Sequence, residues 1–245
     1  MRDYLALSRT RTYSLTFALP LFVLYELLAA LTDRAEPVAV RNAADVMLRQ
    51  TFLLLGPRGG LLFAAVLVGA AAVSIHRERR RRRVPVRRQV FALMMAESVM
   101  LALVFGAAVS TLTALVLSPL ALAAGAGQSA LSQGQLLVLS LGAGLYEELL
   151  FRVLLVSALV IALRSRWPER RAASAAAAVA ISALLFSAFH YVGPLGDEWR
   201  LASFVFRFLG GLTFSVIYVT RGFGIVAWTH ALYDVFLLTV LAAGR

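Results

Sequence analysis

The chain has 245 residues, of which 60% are hydrophobic and 15% charged, and its formal net charge at pH 7 is +11. Because a soluble domain contains only about 45–50% apolar residues, this composition excludes an ordinary soluble domain and predicts a polytopic membrane protein. The absence of cysteine excludes disulfides, thiolate metal sites and a cysteine nucleophile. The excess of arginine is typical of nucleic-acid binders, but its position along the chain, described below, argues against nucleic acid as a partner.

Apolar segments about as long as the ~20 residues that cross a bilayer follow one another along the whole chain. They run over 12–32, 60–76, 90–118, 134–163, 172–190, 201–220 and 223–242. This pattern predicts an all-α, polytopic membrane bundle of about seven transmembrane helices that forms a single integral membrane domain. Within it we separate the N-terminal membrane helices, residues 1–133, from a helical core at residues 134–242.

The first segment follows Arg2, Arg9 and Arg11 and has the charge pattern of a signal peptide. Its apolar run is too long for that role, so we expect an uncleaved membrane anchor. Residues 42–55 mix polar and apolar side chains and predict an amphipathic piece that lies along the membrane surface. Pro57 and the glycines after it weaken the helical pattern at the start of the second segment.

Eight arginines lie in the hydrophilic loop at residues 77–88, between the second and third segments. Such a run is typical of cytoplasmic loops. With seven spans, most arginines of the chain fall on the side of the N-terminus, which predicts a cytoplasmic N-terminus and an uncharged outer loop from Ser118 to Gln135. Clustered arginine near a membrane also attracts anionic lipid, which is the second interpretation of this loop.

The fourth segment carries two adjacent carboxylates, Glu147 and Glu148, and an arginine, Arg152. A charged side chain at bilayer depth costs about 2.5–3.5 kcal/mol even on the gentler insertion scales, so packing alone does not explain them. Residues four apart share a helix face, and Glu148 and Arg152 are therefore expected to form a structural ion pair. Glu147 points roughly 100° away, which leaves it free for chemistry.

Two histidines lie within later segments. His190 ends the fifth segment, four residues after Phe186, and the i, i+4 spacing in the last segment aligns His230 with Asp234. A lone histidine in a membrane is often only a helix–helix hydrogen bond, but two histidines, a His–Asp pair and a Glu pair together favour a reactive site.

Three further charged residues, Glu26, Glu97 and Arg207, also lie in apolar runs. Glu26 is expected near the outer interface. Glu97 and Arg207 are expected to neutralise each other or to pair with the fourth segment. None of the three is assigned to the site.

Three motifs occur in order on three apolar segments: Glu147-Glu148-x-x-x-Arg152, Phe186-x-x-x-His190 and His230-x-x-x-Asp234. Together they resemble the CPBP family of CAAX proteases and bacteriocin-processing enzymes, also called Abi, over about residues 134–240. In that family the last motif often ends in asparagine, whereas this chain has Asp234. The resemblance implies hydrolysis of a peptide bond inside the membrane, by an endopeptidase that acts on a membrane-associated protein or peptide.

Two forms of the chemistry fit these residues. In the preferred form, which requires no cofactor, Glu147 is the general base that activates water, His190 orients that water, and His230 and Asp234 stabilise the oxyanion. The catalytic set is then Glu147, Glu148, His190, His230 and Asp234. In the second form the enzyme is a metalloprotease whose zinc is bound by Glu147, His190 and His230, with one open position for water.

Two other classes of function stay open at the level of the sequence. One is a non-catalytic relative in the same family, such as an immunity or membrane partner protein. The other is a proton-coupled transporter, in which Glu, His and Asp side chains relay protons. On every alternative the protein is embedded in a lipid bilayer, and the preferred location is the bacterial inner membrane.

Overall fold

The computed structural model describes residues 2–36, 39–117, 131–193 and 196–243 of the chain. Within these ranges the regular structure is helical and no strand is present. The predicted all-α membrane bundle is therefore confirmed. Most of the predicted outer loop, residues 118–130, lies outside the described residues.

Nine helices follow one another in the described ranges. The first five are α1 (Arg2–Ser8), α2 (Arg11–Ala35), α3 (Ala43–Leu53), α4 (Gly59–Arg82) and α5 (Arg88–Leu117). The sixth, α6, consists of the consecutive stretches Gln133–Gly142, Ala143–Glu147, Leu149–Val156 and Ser157–Arg166. The last three are α7 (Arg171–Phe189), α8 (Leu201–Arg221) and α9 (Phe223–Ala243).

Five of the helices, α2, α4, α5, α7 and α8, are long and apolar enough to cross a membrane, and α9 contains a shorter apolar stretch, Phe223–Leu238. Large apolar side chains on α4 and α5, among them Leu61 and Leu103, face outwards. Contiguous apolar surface of this kind marks contact with lipid or with a partner. The second segment, whose start the sequence left weak, forms the α4 helix. This helix continues to Arg82, so the first half of the predicted hydrophilic loop at residues 77–88 is helical rather than a loop.

The central helix α6 begins with a capping box, in which Ser132 and Gln135 bond each other's backbone N–H groups. Its middle is π-helical over Ala143–Glu147 and Leu149–Val156. π-Helical turns are rare overall, but those that occur are often at functional sites. The backbone of α6 alone therefore marks this region as a candidate site. It coincides with the two glutamates.

The helix α9 packs against α5, α2 and α6, while α7 packs against α8. The core between them is rich in fully buried aromatic and aliphatic side chains, including Tyr13, Tyr25, Met94, Tyr146 and Ile225. Burial of this size stabilises a side chain by about 1.5–3 kcal/mol in water-soluble proteins. In this chain it fixes α6 between the N-terminal helices and α9.

The amphipathic piece at residues 42–55 forms the helix α3, but it does not simply lie along a surface. Asn42, Ala44 and Asp45 at its start are buried, and α3 packs against α4 and against the π-helical turn of α6. The start of α3, which belongs to the N-terminal region, therefore lies next to Glu147.

Candidate active site

The site forms where α6, the end of α7 and α9 meet. Gly144 allows α6 and α9 to approach closely, since a Cβ at this position would lie 2.3 Å from the carbonyl oxygen of Ala227. Glu147 and Glu148 come from α6, His190 caps the C-terminal end of α7, and His230 lies on α9. The sequence-predicted residues are thus brought to one place.

The predicted ion pair between Glu148 and Arg152 is present, with 3.1 Å between Oε1 and Nη1, and both side chains are fully buried. Arg152 Nη2 also donates to the carbonyl oxygen of Gly211 at 3.3 Å. Its guanidinium lies over the rings of Phe186 and Phe214, 4.4 and 5.5 Å from their centroids. These contacts compensate a buried charge that would otherwise be costly.

His230 has a partner that the sequence did not indicate. Its Nδ1 lies 2.7 Å from Oε1 of Glu148, whereas its Nε2 is 3.7 Å from Oδ2 of Asp234. The first distance is a hydrogen bond and the second is longer than one. Glu148 therefore both pairs with Arg152 and orients the ring of His230, which also stacks on Phe214 at 4.2 Å.

The two oxygens of Glu147 have different surroundings. Oε1 accepts a hydrogen bond of 2.8 Å from the side-chain amide of Asn42. Oε2 is buried, accepts no hydrogen bond from the described residues, and lies 3.9 Å from Nε2 of His190. His190, the nearest of the predicted site residues to this oxygen, keeps 23% of its side chain exposed.

The hydrogen bond of His190 to its own helix identifies its tautomer. Nδ1 lies 2.9 Å from the carbonyl oxygen of Phe186. A carbonyl can only accept, so Nδ1 carries the proton and Nε2 of the neutral ring has a free lone pair. Nε2 and the free oxygen of Glu147 are then two acceptors that face each other.

Asn42 is the site residue that the sequence analysis missed. It is the N-cap of α3, where its Oδ1 accepts from the backbone N–H of Ala44 at 2.9 Å. The cap uses the amide oxygen and leaves the NH₂ group for Glu147. Gly142 provides the necessary space, because a Cβ there would lie 2.6 Å from Cβ of Asn42. An asparagine before a helix signals a cap, and that signal does not reveal the second bond.

Residues 129–236, which contain the two glutamates, both histidines and Asp234, match the family model described as Type II CAAX prenyl endopeptidase Rce1-like. This region belongs to the CPBP family. The resemblance predicted from the three motifs is confirmed. No curated protein and no solved structure shows significant similarity to the chain.

Membership of the CPBP family supports a CAAX-type intramembrane protease in general terms, and it implies a membrane-associated substrate in a lipid environment. Asn42 lies outside the matched CPBP region. The roles of the individual side chains are therefore inferred from the geometry of the site and not from the family match.

A cluster of charged and phenolic side chains holds α3 next to the CPBP region. Arg49 pairs with Asp45 and Glu26 and contacts the hydroxyl of Tyr146 at 3.2 Å. Tyr146, the residue before Glu147, donates to Glu26 at 2.9 Å. Burial alone lowers the pKa of Arg49, but Asp45, Tyr146 and Glu26 raise it above its ordinary value, so this arginine stays charged.

The expected pairing of Glu97 with Arg207 is wrong. Glu97 pairs with Arg221 at 2.5 Å and accepts from the hydroxyl of Tyr4, while Arg207 pairs with Asp197. Arg221 is 124 positions from Glu97 and ends α8, whereas Asp197 lies only 10 positions before Arg207, in the loop that precedes α8. Apolar patterning indicates neither partner.

The predicted zinc ligands Glu147, His190 and His230 lie at this junction of helices, but their spacing is wider than that of a metal site. In the described ranges, no three His, Cys, Asp or Glu side chains lie close enough together to hold a metal ion. Nδ1 of His230 is engaged by Glu148. Zinc binding thus stays a prediction for metal analysis to test.

Proposed function

We propose that the protein is an intramembrane endopeptidase that hydrolyses a peptide bond of a membrane-associated protein or peptide, with Glu147 as the base that activates water. The observation that carries the proposal is the unpartnered oxygen Oε2 of Glu147, which lies 3.9 Å from Nε2 of His190 in a buried site.

A water molecule fits the gap between these two atoms. Two acceptors 3.9 Å apart can both be reached by one water at ordinary hydrogen-bond distance. The water would donate one hydrogen to Glu147 and the other to His190, since both atoms are acceptors in the neutral-histidine state. Its lone pairs would then point away from both residues, towards a substrate carbonyl.

The proton balance of the reaction is simple. Glu147 takes a proton from the water as the oxygen attacks the carbonyl carbon, and it returns that proton to the leaving amine when the C–N bond breaks. The carbonyl oxygen becomes negatively charged in between. Nε2 of His230 can stabilise this oxyanion as a donor when the ring carries both protons, because Nδ1 already donates to Glu148.

This assignment gives the two glutamates different roles. Oε1 of Glu148 contacts Arg152 and His230, two groups that can carry a positive charge, although its Oε2, like Oε2 of Glu147, accepts no hydrogen bond from the described residues. Oε1 of Glu147 accepts its hydrogen bond from the uncharged amide of Asn42 instead. The first glutamate thus acts on the reaction, and the second acts by orienting His230.

The orientation of the protein in the membrane belongs to the same proposal. Oε1 of Glu78, near the end of α4, accepts from the backbone N–H of Arg11 at 3.1 Å, and its Oε2 accepts from that of Thr12 at 2.6 Å. The N-terminal arginines and the loop at 77–88 are thereby on one side of the bundle, which we take to be the cytoplasmic side of a bacterial inner membrane. A reporter fused after Arg88 is expected to be cytoplasmic.

The test is cleavage of a membrane-peptide library by the purified protein. Glu147→Gln should lower the cleavage rate by about 10²–10⁴-fold, the contribution of a general base. The amide oxygen of the new side chain can still accept from Asn42, so thermal stability should change little. Glu198→Gln, at a carboxylate whose side chain is 91% exposed, is the matched control and should cleave normally. Full activity of Glu147→Gln would refute the proposal.

A further inference from the structure

A second cleft, remote from the active site, lies between the start of the chain and the end of α4. Its volume is about 790 Å³. Apolar side chains of α1, arginines of the following turn and arginines at the end of α4 line it: Leu5, Ala6, Arg9, Thr10, Arg11, Arg77, Glu78, Arg81 and Arg82. Five arginines thus converge from two separate parts of the chain.

The positive charge of this cleft is only partly offset, since its lining holds one carboxylate, Glu78, against five arginines. Arg9, Arg77, Arg81 and Arg82 form no ion pair with any residue in the described ranges, and all four are exposed. The carboxylate of Glu78 accepts bonds from the backbone N–H groups of Arg11 and Thr12 and from the hydroxyl of Thr12. It therefore fixes the two walls of the cleft together and leaves its arginines available.

The cleft also has an apolar side, formed by Leu5 and Ala6 of α1. Leu5, in the lining, is 42% exposed. The same helix α4 that ends in the arginines presents exposed aliphatic side chains further along, including Leu62 and Val73. A ligand that joins a phosphate to long apolar chains would place its phosphate at the arginines and its apolar chains along the exposed aliphatic side chains.

We propose that this cleft binds an anionic phospholipid, with preference for a headgroup that carries two phosphates. Guanidinium groups bind phosphate oxygens through paired, charge-assisted hydrogen bonds. Basic pockets between membrane helices on the cytoplasmic side are suited to such headgroups. Five arginines on two walls provide more donors than a single phosphate can use. This site is independent of the active site and of the proposed reaction.

A loop that only sets membrane orientation needs arginine but no cleft. The two explanations differ in which arginines matter. Arg87 and Arg88 follow α4 in the same basic segment of the chain, residues 77–88, and lie outside the cleft lining. Replacing them changes the net charge as much as replacing Arg81 and Arg82, so the two pairs form a matched comparison.

The test titrates the detergent-solubilised full chain with cardiolipin, phosphatidylglycerol or phosphatidylcholine and follows the rise in Tm. We expect saturable stabilisation by cardiolipin, weaker stabilisation by phosphatidylglycerol and none by phosphatidylcholine. The double variant Arg81→Gln/Arg82→Gln should weaken cardiolipin binding about 30-fold, while Arg87→Gln/Arg88→Gln should stay within about 2-fold of the wild type.

Three results would overturn the proposal. Equal weakening in both double variants would mean diffuse attraction to the whole loop. Saturation by inorganic phosphate at the same concentration as cardiolipin would mean a site for free anions. Tighter binding of phosphatidylglycerol than of cardiolipin would refute the preference for a headgroup that carries two phosphates.

Discussion

The CPBP region, residues 129–236, and the N-terminal helices contribute to the site in different ways. The CPBP region supplies the carboxylates and imidazoles, and its buried charges are compensated within that region by Arg152 and His230. The N-terminal helices supply one uncharged side chain, Asn42, and the ionic cluster that holds α3 in place. The comparison teaches that the motifs contain the proposed reacting groups, whereas the direction of the Glu147 carboxylate depends on a residue outside them.

The largest effect is expected from breaking the charge balance inside the CPBP region. Arg152→Ala would leave the buried Glu148 with His230 as its remaining partner, and the loss of one partner of a buried pair costs about 3–5 kcal/mol. Thermal unfolding in detergent measures this loss. Arg164→Ala, on the same helix but exposed, is the matched control and should stay near the wild-type Tm. Equally small losses in both variants would show that Glu148 is not held by Arg152.

An intermediate effect is expected from breaking the contact between the two regions. Asn42→Ser keeps a good N-cap for α3, but its hydroxyl is too short to reach Glu147. A hydrogen bond to a charged group contributes about 1.5–3 kcal/mol, so kcat should fall roughly 10- to 100-fold. KM should change little, since Asn42 is a positioning residue that orients Glu147.

Asn42→Asp provides the complementary measurement. It retains the cap oxygen and loses the amide donor, and it places a second carboxylate beside Glu147. Its kcat should fall at least as far as that of Asn42→Ser. Wild-type kcat in both variants would show that the CPBP region orients Glu147 without the N-terminal helices.

The smallest effect is expected at Asp234, and it bears on whether the CPBP region needs a metal. Asp234 lies 3.7 Å from His230, which Glu148 already orients. Asp234→Asn should therefore lower the cleavage rate by less than about 10-fold, and the purified protein should be active without metal. Outer-shell carboxylates of metal sites typically contribute about 10–100-fold. Stoichiometric zinc in the purified protein, together with a severely impaired Asp234→Asn variant, would favour the metalloprotease form.

The sequence predicted the parts of this structure that depend on neighbours in the chain. Apolar segments predicted the helical bundle, and the four-residue spacing predicted the pair between Glu148 and Arg152. The same spacing suggested Asp234 as the partner of His230, but spacing only brings side chains to one face. The ring nitrogen instead bonds Glu148, 82 positions away, and such long-range choices are made by helix packing.

Asn42 could not be predicted for a related reason. Its sequence context correctly indicates the N-cap of a helix, which uses the amide oxygen. Nothing in the sequence indicates that the amide NH₂ group of the same side chain donates to Glu147. The π-helical turns of α6 are equally invisible in an apolar run. Glu97 and Arg207 were matched by charge alone, whereas Glu97 pairs with Arg221, 124 positions away, and Arg207 pairs with Asp197 in the loop before α8.

The spacing of these contacts along the chain has a consequence for biogenesis. Glu148 and Arg152 are four residues apart, so they can neutralise each other while α6 is still alone in the bilayer, which reduces the cost of inserting them. Asn42 and Glu147 are 105 positions apart, and Glu148 and His230 are 82. Contacts of such long range require most of the bundle to assemble first. A partly assembled chain thus contains a tolerated ion pair but a Glu147 that is not yet oriented. On the proposed mechanism, newly made copies therefore cannot cleave neighbouring proteins before their own folding is complete.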